Sequence, residues 1–129
     1  MVKHLVNSDG SPTPSGPFSP ALAVGEWIFL SGQGGFEPET GRLVSDDIAG
    51  QTDQIFRNVE ALLRAAGASL EDVVSCLVHV TDLDRFAEFN AAYERHFPGV
   101  KPVRTTVGAE LAAGMLVEVT VVANRARAG

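Results

Sequence analysis

The sequence predicts an α+β fold in two layers, one β-sheet with two helices packed on one of its faces. Three observations predict it. Segments with the two-residue period of strands are mixed with segments of helical period, in the order β-β-(β)-α-β-α-β-β. Each helical segment carries its apolar residues in a single stripe, so each has one face to bury. The 129 residues show no internal repeat and no linker. The turn-rich stretches 8–20, with four prolines and two glycines, and 32–47, rich in Gly, Pro and acidic residues, are too short to separate domains. Residues 1–129 therefore read as one domain.

Ala21–Val24 and Glu26–Ser31 predict two strands joined by a tight turn at Gly25; the second is a compact aromatic and β-branched run. Ile48–Ala66 predicts the first helix. Its stripe is Ile48, Ile55, Val59, Leu62, Leu63 and Ala66, with Thr52 in register; Ser45, Asp46 or Asp47 caps its start and Gly67 takes the C′ position. Ser69 followed by Asp72 predicts a capping-box turn. Val73–Thr81 alternates, with Val74, Cys76, Val78 and Val80 on one face and Ser75, Leu77, His79 and Thr81 on the other. Leu83–Phe97 predicts the second helix, capped by Asp82 or Asp84, striped by Phe86, Phe89, Tyr93 and Phe97, and stopped by Pro98-Gly99. Val103–Ala109 and Leu116–Asn124 complete the strands. In the last, Val117, Val119, Val121 and Ala123 form one apolar face, opposite Glu118, Thr120, Asn124, Leu116 and Val122. A ferredoxin-like two-layer arrangement follows, whose second sheet face needs cover. Leu77, Leu116 and Val122 point there, so the chain is expected to self-associate.

Composition excludes several classes. Hydrophobic residues at 45% and charged residues at 20% are the balance of a globular domain rather than a disordered chain. Ten basic against sixteen acidic residues give a net charge of −6, and no Lys/Arg run forms a basic patch, so a nucleic-acid partner is not expected. No apolar stretch reaches a membrane span, and the polar Met1–Pro14 is no signal peptide. One cysteine, Cys76, allows neither an intrachain disulfide nor a thiolate metal cluster. The expectation is a cytoplasmic protein with no membrane partner.

Most chemical motifs fail on spacing. Gly32-Gln33-Gly34-Gly35 lacks the third glycine and the following helix of a dinucleotide fingerprint, and Phe29 breaks a nucleophile elbow at Ser31. His4, His79 and His96 are scattered, with no metal-ligand spacing, and read as surface or satisfied histidines. Cys76 alternates with valines and reads as a small core residue. What remains are polar residues in apolar elements: Arg104 opening a strand, Glu118 among valines, and Asn90 between Phe89 and Tyr93. Arg104 and Glu118 read either as solvated-face residues, paired across strands, or as two walls of a pocket. In a pocket, the arginine fork holds a carboxylate and the glutamate positions or deprotonates water.

Eight segments narrow this further. They are Gly16-Pro17-Phe18-Ser19-Pro20-Ala21, Phe29-Leu30-Ser31-Gly32-Gln33, Gln51-Thr52-Asp53-Gln54 with Asn58-Val59, and Ala66-Gly67-Ala68-Ser69 with Asp72-Val73-Val74. They continue with Val80-Thr81-Asp82-Leu83 and Phe86, Phe89-Asn90-Ala91-Ala92-Tyr93, Pro102-Val103-Arg104-Thr105-Thr106-Val107, and Val117-Glu118-Val119. In this order and spacing the chain resembles the RidA/YjgF family of reactive-intermediate (enamine/imine) deaminases, nearly end to end.

The resemblance implies a chorismate-mutase-like α+β fold assembled as a homotrimer with pockets at the subunit interfaces. It implies hydrolysis of enamine/imine carboxylates of the 2-aminoacrylate type to 2-keto acids and ammonia, without a metal or organic cofactor. By position, Arg104 corresponds to the carboxylate-gripping arginine, Glu118 to the acid near the attacking water, and Asn90 to the helix asparagine near the site. Ser31, Gly32 and Thr106 line the pocket. The chain departs from the family pattern at Phe18, where Tyr is usual, at Thr106, where Cys is frequent, and at Leu111-Ala112, where Leu-Pro is usual. Phe18 removes a hydroxyl donor, which raises the alternative of a non-catalytic binding or regulatory protein for small carboxylates. An endoribonuclease activity, a label attached to some members, is opposed by the net charge and by the lack of a basic stripe or histidine pair.

Overall fold

The strands form where burial alternates. The computed structural model describes residues 1–127. Its strands are β1 (His4–Val6), β2 (Ala21–Val24), β3 (Trp27–Leu30), β4 (Val73–Val80), β5 (Val103–Gly108) and β6 (Val117–Asn124). They make one sheet in the order β1-β2-β3-β6-β4-β5. β4 and β5 run parallel and the other neighbours antiparallel, so the sheet is mixed. Helices α1 (Ile48–Ala65) and α2 (Phe86–Glu94) cover one face, giving the expected α+β two-layer fold. No helix among the described residues is long and apolar enough to cross a membrane.

The core lies between sheet and helices. Ile48, Ile55, Val59, Leu62 and Leu63 of α1 and Phe89 of α2 are sealed from solvent, as are Val117, Val119, Val121 and Ala123 of β6. Each buried valine or leucine contributes about 1.5–3 kcal/mol, so the central strand β6 anchors the sheet. α1 ends in a Schellman motif: Ala68 N–H donates to Leu63 O (2.8 Å), Gly67 N–H to Arg64 O (3.0 Å), and Gly67 takes the left-handed φ of 79° that only glycine adopts without strain. The Ser69/Asp72 capping box forms as predicted.

Four details differ from the sequence reading. Residues 4–6, read as belonging to a polar, turn-rich segment, add strand β1 to the free edge of β2. Asp47 occupies the N-cap of α1, yet its carboxylate accepts from Ser45 Oγ at 2.6 Å rather than from the helix. In β4 the pairing shifts between Val73 and Ser75, so Val74 is an extra, exposed residue and Val73 takes the inward place. The second helix is split: Asp82 accepts from Asp84 N–H, a 3₁₀ turn spans Leu83–Arg85, and α2 closes at Glu94.

The other sheet face carries no helix. An apolar row crosses it through the register pairs Leu5–Leu22, Leu22–Phe29 and Phe29–Val122. Leu5, Trp27, Phe29, Leu77 and Val107 are all more than a third exposed on it. Leu77 and Val122 lie there as predicted, whereas Leu116 precedes β6.

Candidate functional site

The sequence-predicted residues fall into two groups on opposite faces of the sheet. Register decides this. Arg104 pairs with Cys76 and Thr106 with Val78, and both partners are core residues, so Arg104 and Thr106 face the helices. Glu118 pairs with His79 between the buried Val117 and Val119, so it stands on the open face. The cross-strand ion pair considered from sequence therefore does not form.

On the helix side, the aromatic stripe of α2 carries the arginine. The Arg104 guanidinium carbon lies 4.8 Å from the Tyr93 ring centroid and 5.5 Å from those of Phe86 and Phe89. A cation held this close to aromatic rings gains roughly 0.5–2 kcal/mol. No ion pair among the described residues involves Arg104. Burial pushes both the Cys76 thiol and the Tyr93 hydroxyl above their ordinary pKa values, while the Arg104 charge pulls the other way. Both stay neutral near pH 7, so neither serves Arg104 as a counter-ion. Asn90, Tyr93 and Arg104 line one open hollow. Asn90 Oδ1 and Tyr93 OH are buried without hydrogen-bond partners, as is Thr106 Oγ1 on the same face of β5 as Arg104; the hydroxyl of Tyr93 lies beside the Cys76 thiol without a bond of regular geometry. Unpaired buried polar atoms near a guanidinium with no ion-pair partner among the described residues are groups that a polar ligand could satisfy.

The open-face group is built on a bulge. β3 pairs with β6 up to Phe29–Val122, and Gln33 pairs with Val119, so residues 30–32 oppose only 120 and 121. Gly32 is thereby pressed onto Glu118: a β-carbon at residue 32 would lie 2.7 Å from Glu118 Cδ. Ser31 Oγ donates to Ser19 O at 2.7 Å and Ser31 N–H to Pro20 O at 3.0 Å, tying the Phe18 loop to the end of β3. The Ser31 hydroxyl is thus structural within this chain. Phe18, half exposed, walls a second hollow together with Gly32 and Glu118.

Sequence reasoning missed the residues that hold this wall. Asn58, inaccessible on α1, donates through Nδ2 to Phe36 O (2.9 Å) and Gly34 O (3.3 Å), and accepts from Gln54 Nε2 (2.9 Å). Gln51 donates to Ser45 O and accepts from Leu116 N–H, both at 2.9 Å. Polar residues inside an apolar stripe were the available signal. Of the histidines, His96 is satisfied by Asp53 (2.8 Å) and stacks on Phe56, whereas His79 Nδ1, opposite Glu118, is buried without a partner.

Comparison with known proteins places these features in context. A family profile described as Endoribonuclease L-PSP matches residues 9–125. A RutC family protein of Pyrococcus abyssi is 40% identical over 124 residues, covering 95% of this chain and 98% of the relative. A 2-iminobutanoate/2-iminopropanoate deaminase of Dermatophagoides farinae is 34% identical, covering 91% of this chain and 92% of the relative. The crystal structure of a putative endoribonuclease from Thermotoga maritima superposes with a TM-score of 0.93 at 36% identity, over 98% of this chain and all of the other.

Proposed function

Because this chain belongs to the RidA/YjgF (Endoribonuclease L-PSP) family, we propose that it hydrolyses enamine/imine carboxylates of the 2-aminoacrylate type to 2-keto acids and ammonia. The observation that carries the reading is the Arg104 guanidinium, held within 5.5 Å of three aromatic ring centroids and without an ion-pair partner among the described residues. A planar fork without a counter-ion suits a substrate carboxylate. Asn90 lines the same hollow, with Tyr93, Glu94 and Lys101.

Water adds to the iminium carbon and Glu118 takes its proton, which leaves a neutral carbinolamine. Glu118 returns that proton to the nitrogen, the C–N bond breaks, and the hydroxyl proton leaves with ammonia as ammonium, forming the keto acid. The iminium carbon is already electrophilic, so orientation and one managed proton carry the catalysis. Arg104 and Glu118 occupy opposite sheet faces, so a complete pocket on this reading combines Arg104 of one subunit with Gly32, Glu118 and Phe18 of the next. The apolar row Leu5–Leu22–Phe29–Val122 supports such an assembly, in the family's case a homotrimer.

The test generates imines with an L-amino-acid oxidase and follows semicarbazone formation. Wild type is expected to suppress semicarbazone and Arg104→Ala to lose that effect. Saturable binding of keto acids without suppression for any amino acid would overturn the deaminase reading. It would leave the carboxylate-binding alternative, which the missing hydroxyl at Phe18 favours.

A further inference from the structure

The hollow beside Glu118 has a chemical character that the proposed chemistry does not require. It has a volume of about 140 Å³, and among the described residues Glu118 is the only charged side chain in its lining. Its apolar walls are Phe18, Phe36, Met115 and three prolines, Pro12, Pro14 and Pro20, and Thr13, Ser15 and Gln33 give the rest of the lining an uncharged polar part. Phe36 and Met115 close over Gly34: a β-carbon there would run into Met115 Sδ and stand 2.7 Å from the Phe36 ring. The space that a side chain at residue 34 would take is thus given to two large apolar groups. Both are held from behind, Phe36 through its carbonyl by Asn58, and Met115 by the neighbouring Leu116 N–H bond to Gln51.

Resting on the deaminase reading, we propose that Phe36 and Met115 form the subsite for the substrate side chain and select 2-imino acids with branched or aromatic apolar side chains. With the carboxylate at Arg104 and the reacting carbon at Glu118, the remaining substituent faces this wall. A space of about 150 Å³ is large enough to hold a benzene ring, and Phe36 and Met115 make one side of this open hollow apolar. A methylene of 2-aminoacrylate leaves that wall mostly unfilled. A carboxylate-bearing side chain meets Glu118 with no cation in the lining to offset it.

The experiment measures kcat/KM by semicarbazide competition for imines generated from alanine, leucine, phenylalanine and glutamate, with wild type, Met115→Ala and Phe36→Ala. The leucine-derived imine is expected to exceed the alanine-derived one by about tenfold or more, since one methylene in an apolar pocket is worth about 10–200-fold. Each truncation is expected to lower that ratio by about tenfold. Two variants guard against loss of folding in one. Turnover with a ratio at or below one, or a ratio unmoved in both variants, overturns the subsite and leaves the deaminase reading intact. If no imine is turned over, calorimetric titration with 4-methyl-2-oxopentanoate and pyruvate decides. Preference for the branched acid, lost in the variants, upholds the subsite while the deaminase reading fails; equal affinity overturns both.

Discussion

Gly32 lies against the Glu118 side chain so closely that a β-carbon on residue 32 would stand 2.7 Å from Cδ, 2.8 Å from Oε1 and 3.0 Å from Cγ. The contact is steric rather than conformational, because Gly32 does not have a left-handed φ. The colliding group is the end of a flexible side chain, so Gly32→Ala is expected to fold with a melting temperature within a few degrees of wild type. It displaces the carboxylate, however, and a misplacement of about 1 Å costs on the order of 10²-fold in rate. Thermal denaturation and kcat on the same sample check both halves; an unchanged kcat would remove Glu118 from the reaction.

Arg104→Lys keeps the charge but loses the fork and the stack on Phe86, Phe89 and Tyr93. KM for imine carboxylates is expected to rise about tenfold or more, while stability falls by no more than about 1–2 kcal/mol. A substrate lacking the carboxylate should respond equally in wild type and variant.

Because Arg104 and Glu118 face opposite ways, Arg104→Ala and Glu118→Gln chains are expected to complement each other. Each alone is inactive. An equimolar, co-refolded mixture recovers about a quarter of wild-type sites in a closed ring with one Arg104 and one Glu118 per interface. Recovery of nothing would mean that both groups serve the same chain's site.

Asn58→Leu preserves volume but leaves Gly34 O, Phe36 O and Gln54 Nε2 without their partner. Buried groups left unpaired cost about 1–3 kcal/mol each. A loss near 3 kcal/mol lowers the melting temperature by roughly 10 °C in a chain of this size. Calorimetry checks it, and a drop of less than about 3 °C would show that water replaces the lost bonds.

Burial raises the pKa of both Cys76 and Tyr93 in the folded chain. The Cys76 contribution to stability is fully present below the ordinary thiol pKa of about 8.5 and begins to be lost as pH rises through it, while the Tyr93 contribution begins to be lost only above the ordinary phenol pKa of about 10, because the unfolded chain releases each proton first. The urea midpoint should therefore fall between about pH 7.5 and 9.5, around the ordinary thiol pKa, and Cys76→Ala should flatten that fall. The folded thiol should also resist alkylation at neutral pH and react fully in urea.

Much of the fold is legible in the sequence. The period-two run Val117–Ala123, the α1 stripe ending at Gly67, and the Ser69/Asp72 box each state a local preference that tertiary packing respects. Residues His4–Val6 were not legible, because three residues become a strand only when a partner edge at β2 offers hydrogen bonds. The Val74 bulge was hidden likewise, since an extra residue is defined only against the strand it opposes.

The site divides in the same way. Sequence alone singled out the candidate site residues, from Arg104 and Glu118 as charges inside apolar strands to Phe18, where the family resemblance leads one to expect tyrosine. Only the tertiary structure decided which side of the sheet each one faces. In β5 the local pattern is inverted: Val103 and Val107 are exposed on the open face, while Arg104 and Thr106 turn toward the helices. Alternation within a strand fixes which residues share a face, but not which face is covered. Here the aromatic rings of α2 settled it, by giving the guanidinium an apolar, electron-rich bed while its donors stay free.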